Sequence, residues 1–308
     1  MSSLLNFESC FDLKKNQYCD KKDLIIIAGP TCVGKSTLAI SLAKKINGVL
    51  INADSVQVYE DIKLLSARPS VEEMQKVPHF MYGYVKSNIN YSVADWLKRL
   101  NKVLRHTEKI NKIPILVGGS GLYLNAVIKG LAPIPTLTED IKIKSLLKLN
   151  DIGIDSFREL NYNLDPQFVN QNHDKHRLLR AYGVFLQTKK NMSYWYQKSR
   201  VGEIKKNIYP FLLNLERKLI YRRCELRFDE MIKNGALEEV KKIYDFKIDR
   251  TLPITKSLGV KWLLSFLDNR ISFEDAIRLS KRDTRRYVKR QITWFTHNYI
   301  PYKTIFMK

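Results

Sequence analysis

The stretch Gly29-Pro30-Thr31-Cys32-Val33-Gly34-Lys35-Ser36 constrains this chain more than any other. It fits the pattern Gly-x-x-x-x-Gly-Lys-Ser. It stands between the apolar run Leu24-Ile25-Ile26-Ile27 and a segment, Ser36 to Lys45, whose Leu38 and Leu42 share one helical face. A short, continuous apolar run of this kind reads as a strand buried on both faces of a parallel sheet. The glycines allow backbone torsions that turn successive N–H groups inward, Lys35 adds a positive charge, and the Ser36 hydroxyl can ligate Mg²⁺. The whole unit therefore predicts a phosphate cradle between a first strand, Leu24 to Ala28, and a helix, with a second strand over Val49 to Ala53. By itself the loop leaves open whether the phosphate is hydrolysed, transferred or discarded.

Strand, loop, helix and strand in this order begin an α/β fold, and the expectation is a P-loop NTPase-like parallel sheet core flanked by helices. A further buried strand, Ile113 to Val117, ends in Gly118-Gly119-Ser120-Gly121. A nucleotide-hydrolysing motor would end that strand in an aspartate to position Mg²⁺, so the glycines argue against one. From Leu131 the texture changes. "LAPIPTLTED" carries two prolines and then Thr138, a helix-capping residue type, ahead of a long charged helical stretch. Residues 131–200 are expected to form a helical insertion subdomain, and residues 1–130 and 201–308 the core. In the second core segment Tyr209 to Leu215 returns as a strand, and the remainder is helical with breaks at Asn234-Gly235 and around Pro253.

The 308 residues carry a formal net charge of +22, a surplus that favours polyanionic partners, nucleic acid first among them. The basic residues concentrate in Lys281 to Arg290, where Arg282, Arg285, Arg286 and Lys289 recur at helical spacing opposite an apolar stripe of Val288, Ile292 and Phe295. Such a helix packs inward and offers phosphate contacts outward. Tyr287 and Trp294 on the same helix are candidates either for base stacking or for core packing. Cys10, Cys19, Cys32 and Cys224 lack C-x-x-C spacing and read as unpaired thiols. His79 and His173 have no partner at metal-ligand spacing. The start of the chain does not resemble a secretory signal, and no window approaches the ~20 apolar residues of a membrane span, so no membrane association and a cytoplasmic location are expected.

Asp54 lies at the carboxyl end of the second strand, the edge where open α/β sheets gather ligands. It reads either as a proton acceptor beside the phosphate or as a helix cap for Ser55 onward. In "LIYRRCELRFDEM", Arg223 and Arg227 lie one turn apart beside a face of Ile220, Cys224, Phe228 and Met231, and read as phosphate ligands or as a solvated basic face. These residues are also compatible with a small-molecule kinase, in which Asp54 activates a hydroxyl, and with a non-catalytic RNA-binding protein.

"GPTCVGKS", "INADSVQVY", "SARPS", "VPHF", "ILVGGSGLYLNAVIKGL", "RRCELRFDEM" and "TRRYVKRQITWF" occur in one order from Leu24 to about Phe295. In that order they resemble the tRNA dimethylallyltransferases. The resemblance implies transfer of a dimethylallyl group from dimethylallyl diphosphate to the exocyclic N6 amine of the adenosine beside the anticodon, with release of diphosphate. A prenyl transferase acting on free adenine nucleotides would share the chemistry. By the same resemblance Asp54 is the catalytic aspartate, Ser120 stands where the family has a Thr near the reacting amine, and Arg223 contacts the diphosphate. The cradle would be Gly29, Pro30, Thr31, Cys32, Val33, Gly34, Lys35 and Ser36, with Mg²⁺ held through Ser36. Contacts to tRNA would come from Asp54, Ser55, Val56 and Gln57, from Ser120, from Arg177 and Arg180, and from the basic helix; a monomer is expected. The chain departs from the family pattern at Leu65-Ser66, at Phe80-Met81, at Gln171-Asn172-His173-Asp174 and at His176.

Overall fold

A computed structural model describes Asp20 and residues 22–307. Cys10, Cys19 and the reading of the chain's start lie outside the described residues. The described chain divides into two compact units, one containing residues up to Ile128 together with Ile204–Lys308, the other spanning Lys129–Glu203.

The first unit is built on six parallel strands: β1 (Asp23–Ala28), β2 (Gly48–Asn52), β3 (His79–Phe80), β4 (Ile113–Gly118), β5 (Asn207–Asn214) and β6 (Lys303–Phe306). They lie in the order β3-β2-β4-β1-β5-β6. The α/β class expected from the sequence holds, and the bounds of the four predicted strands shift by only a few residues. The expectation that everything after Leu215 is helical is corrected by β6, whose Lys303–Phe306 pair with Phe211–Asn214 of β5, a partner distant in sequence. Strand β1 occupies a central position, with Ile26 opposite Leu116 of β4 and Pro210 of β5. Every residue of β1 and β2 is buried, as strands covered on both faces require. Helix α1 (Lys35–Lys45) lays Leu38 and Leu42 into a core with Ile25, Ile27, Ile115, Val117 and Phe211.

Helices α2 (Val71–Lys76), α3 (Val93–Lys109) and α4 (Gly121–Lys129) complete the first half of this unit. Its second half contributes α9 (Arg217–Lys233), α10 (Ala236–Asp245), a 3₁₀ turn at Pro253–Lys256, α11 (Val260–Leu267) and the 26-residue α12 (Phe273–Asn298). The predicted breaks at Asn234-Gly235 and Pro253 fall between these elements, with Gly235 at φ 96° between α9 and α10. Val288 and Phe295 of α12 are buried, and Ile292 is partly buried against the sheet core.

The second unit holds α5 (Glu139–Leu164), α6 (Pro166–Gln171), α7 (Lys175–Thr188) and α8 (Met192–Tyr196). Thr138 occupies the cap position of α5, though its side chain makes no capping bond, and Gly153 breaks the helix at φ 76°. Asp165 caps α6 through Phe168 N and also accepts from the Ser193 amide and hydroxyl at 2.8 and 2.6 Å, tying α8 to α6. Leu149, Phe157, Phe168, Leu178 and Val184 form this unit's own core. No described helix is long and apolar enough to cross a membrane.

Candidate active site

Three loops leave the carboxyl ends of the adjacent strands β2, β4 and β1; Asp54, Ser120 and the cradle lie on them and on the first turn of α1, whereas Arg223 comes from α9. After β1 the loop takes left-handed or otherwise glycine-favouring torsions at Cys32 (φ 63°) and Gly34 (φ 99°). Helix α1 begins without a side-chain cap, so its first-turn amides remain available to an anion. The Lys35 ammonium folds back onto the carbonyl oxygens of Gly29 and Pro30 at 3.0 and 2.7 Å. Burial pulls its pKa down to about 8, opposed by the nearby charge of Asp54.

After β2 the fully buried Asn52 fixes the backbone on which Asp54 stands. Its amide nitrogen donates to the carbonyls of Asp54 and Met81, and its oxygen accepts from Asp54 N at 2.8 Å. The Trp96 indole closes this arrangement from α3 by donating to the Asn52 carbonyl, and it stacks on Tyr123. Asp54 Oδ1 accepts from Val56 N at 2.8 Å, but no helix starts at Ser55, so the helix-cap reading is not realised and the bond closes a tight turn instead. The carboxylate also lines the cavity above the loop, where a proton acceptor was expected. Ser55 is joined to the third loop, where its amide donates to Ser120 Oγ at 2.9 Å. The Gln57 amide nitrogen is committed to the Ser66 and Ala67 carbonyls, which anchors the neighbouring loop and leaves Val56 and Gln57 only half exposed.

The glycines after β4 are explained by close approaches. A Cβ on Gly118 would lie 2.1 Å from the Ala53 carbonyl oxygen, one on Gly119 would lie 2.4 Å from the Gln291 amide, and one on Gly121 would lie 2.5 Å from the Trp294 ring. This strand end has no room for the aspartate of a hydrolysing motor. Trp294 packs one face on Gly121 but stays only partly buried, lining a cavity with Lys289, Arg290 and His297, so it is not a core residue. Tyr287 is partly buried, and its hydroxyl bonds with Ser120 near Asp54, so burial and then the Asp54 charge push its phenol up.

One cavity of about 290 Å³ collects Thr31, Cys32, Gly34, Lys35 and Ser36, Asp54 and Gln57, and Arg223 and Arg227. Arg227 is the arginine tied to the loop, donating to Thr31 Oγ1 at 2.7 Å, whereas Arg223 is more exposed at the cavity wall. Sequence reasoning missed two residues here. Tyr82 lines the cavity with its phenol pushed up, by burial first and by Asp54 second. Gln291, only 6% exposed, accepts from Thr31 N at 3.0 Å and donates to the Gly119 carbonyl at 2.9 Å, bridging the first and third loops. Its place in "KRQITW" beside the apolar stripe was the available signal. Gln291→Leu is expected to leave two buried backbone groups without partners, at about 1–3 kcal/mol each. It should also loosen the cradle. The checks are a denaturant midpoint and titration with inorganic pyrophosphate, both of which should fall.

The basic helix is partly neutralised from within. Arg285 pairs with Glu225 and Lys281 with Asp229, both acids on α9, and Asp283 holds Arg282 at 3.0 Å and Arg286 at 3.8 Å. Arg286 nonetheless joins Arg250, Lys256, Lys261, Arg270 and Arg290 around a second cavity of about 750 Å³, whose carboxylates are Asp268 and Asp283. Lys289 is exposed. In the second unit Arg177 and Arg180 are exposed on α7, one turn apart, and Arg177 bonds with Asn172.

A sheet of this order with a glycine-rich loop after β1, an aspartate after β2 and a glycine turn after β4 defines a P-loop-like α/β fold. A model of the family described as IPP transferase matches residues 57–298. Among curated relatives, a tRNA dimethylallyltransferase of Hyphomonas neptunium is 39% identical over 88% of this chain and 86% of its own length. One of Bartonella henselae is 37% identical over 90% and 96%. Among solved structures, a tRNA isopentenylpyrophosphate transferase of Bacillus halodurans shares 30% identity with a TM-score of 0.67, covering 92% of this chain and 90% of that one. A eukaryotic dimethylallyltransferase solved acting on tRNA gives 0.75 at 28% identity, over 89% and 70%. This chain belongs to the IPP transferase family, the family of the tRNA dimethylallyltransferases.

Proposed function

We propose that this protein transfers a dimethylallyl group from dimethylallyl diphosphate to the N6 amine of the adenosine next to the anticodon of tRNA. The observation that carries the reading is the meeting of Asp54, the Lys35 loop and two arginines around one cavity at the carboxyl edge of the sheet. An exocyclic aromatic amine is a weak nucleophile because its lone pair is delocalised into the ring, so its proton must leave as the new bond forms. Asp54, held by Asn52 and flanked by two neutral phenols, is the group that takes it. Ser120 and Tyr287 stand beside it to orient the amine.

Charge builds on the bridging oxygen of the diphosphate as the allylic carbon departs. The amides at the start of α1, the Lys35 ammonium and the guanidinium groups of Arg223 and Arg227 stabilise that charge more in the transition state than in the ground state. The diphosphate is the leaving group and is not transferred. The Ser36 hydroxyl, in the same cavity as the loop, is the donor expected for Mg²⁺, which takes most of its ligands from phosphate oxygens and water. When bound, Mg²⁺ would supply further neutralisation of the diphosphate. Contacts to tRNA are assigned to Ser55, to Arg286 and its basic cavity, to Lys289, and to Arg177 and Arg180 of the insertion unit. The enzyme is read as a cytoplasmic monomer.

The test is incubation with labelled dimethylallyl diphosphate, Mg²⁺ and unmodified tRNA. Label is expected in the anticodon-loop adenosine by nucleoside mass analysis. Absence of label across a set of tRNAs, or phosphoryl transfer from labelled ATP to a small molecule instead, would overturn the proposal.

A further inference from the structure

Cys32 sits inside the phosphate loop, partly buried at the cavity wall and in the left-handed region at φ 63°. Cys224, 3% exposed, comes from α9 and packs in the sheet core against which Cys32 also rests. The two thiols are neighbours in this packing and interact by a side-chain hydrogen bond. Around Cys32 stand the Arg227 guanidinium and the Lys35 ammonium. A thiol that accepts a hydrogen bond and faces two cations gains thiolate character, the condition for attack on an electrophilic oxidant. The hydrogen bond from Cys224 is the largest influence holding Cys32 below the ordinary cysteine range, and the same bond and burial hold Cys224 above it.

We propose that Cys32 and Cys224 are an oxidative modification site, in which a peroxide-class oxidant joins them in a reversible disulfide that disables the diphosphate cradle. The Cys32 thiolate attacks a peroxide oxygen, the O–O bond breaks, and hydroxide leaves and takes up a proton as water. The Cys32 sulfur is now a sulfenic acid. The Cys224 sulfur attacks it, the S–S bond forms, the S–O bond breaks, and a second water leaves with the Cys224 proton. Two thiols and one hydrogen peroxide thus give one disulfide and two waters, two electrons passing from sulfur to oxygen.

An S–S bond of about 2 Å is far shorter than any contact between two thiols, so its formation draws Cys32 toward α9. On either side the loop is anchored by Thr31, which Gln291 and Arg227 hold, and by Gly34 at the start of α1. The torsions between those anchors must change, and with them the direction of the N–H groups that face the anion. This inference rests on the diphosphate reading of the cavity. Bound diphosphate should in turn shield Cys32.

The experiment uses the full chain with Cys10→Ser and Cys19→Ser, leaving these two thiols. Hydrogen peroxide is expected to remove both thiols, to yield a Cys32–Cys224 linked peptide pair on digestion, and to weaken inorganic pyrophosphate binding at least ~10-fold, with recovery in dithiothreitol. Pyrophosphate present during oxidation should slow the reaction. Adding Cys224→Val, or Cys224→Ser if the first folds poorly, should abolish the linked pair and make the loss irreversible, because Cys32 then proceeds to the sulfinic acid. Retention of both thiols, or a disulfide form that binds pyrophosphate as tightly as the dithiol form, would overturn the proposal. If the reduced protein binds no pyrophosphate while the disulfide still forms, the cradle reading falls and the modification site stands.

Discussion

Asp54→Asn is expected to lower the rate of prenyl transfer by about 10²–10⁴-fold while leaving pyrophosphate affinity within a few-fold of the parent. The substitution separates the two uses of this residue. An asparagine keeps an oxygen that accepts from Val56 N, as Asp54 Oδ1 does, so the turn after β2 and its tie to Asn52 survive. What is lost is the capacity to accept a proton. Neither neighbour compensates, because burial, the largest influence on the Tyr82 and Tyr287 phenols, pushes both up and persists in the variant, so they remain neutral. Single-turnover measurement of label entering tRNA reads the effect directly. A rate within about threefold of the parent would remove Asp54 from the role of base and return it to that of closing a turn.

Much of this site is legible in the chain because its parts are local. The apolar run before Gly29, the spacing of Gly34-Lys35-Ser36 and the position of Asp54 after a second apolar run each require only neighbouring residues to be read. Parallel pairing then brings those strand ends together. The glycines after β4 were visible as a departure from a motor-type aspartate, but their reason was not. It lies in the Ala53 carbonyl on β2's loop, the Gln291 side chain and the Trp294 ring, which come from elsewhere in the chain.

The less legible features share that cause. Gln291 bridges Thr31 and Gly119 across sequence separations of 260 and 172 residues, and no periodicity within α12 announces such a partner. Arg223 was singled out by a motif match, and it lines the cavity together with Arg227, whose bond to the loop hydroxyl of Thr31 could not be read from the chain. Read alone, "KRDTRRYVKR" is a cationic face. Its partial neutralisation depends on Glu225 and Asp229, which α9 carries to it. The basic surplus is real, but the fraction available to RNA phosphates is set by tertiary contacts. Arg286 and Arg290 meet Lys256 and Lys261 around one cavity, where Asp268 and Asp283 are the only carboxylates in its lining.

Lys35→Ala should reduce turnover by about 10²–10³-fold, through loss of charge stabilisation at the departing diphosphate. A pH titration distinguishes this role from simple packing. In the free protein burial brings Lys35 to about 8, so its ammonium, held on the Gly29 and Pro30 carbonyls, is lost as pH rises through that value. Bound diphosphate favours the charged form and raises the pKa in the complex. Affinity is therefore full below about pH 8 and falls above it, by up to ~10-fold per pH unit, until the pKa of the complex is reached. Lys35→Arg carries a charge that does not titrate in this range, so it corrects for ionisation of the ligand and of other groups. Pyrophosphate calorimetry from about pH 7 to about pH 10 should show the extra fall in the parent and not in Lys35→Arg. Parallel profiles for the two proteins would mean that Lys35 does not meet the anion as an ammonium, and the stabilisation would then rest on the α1 amides and Arg227.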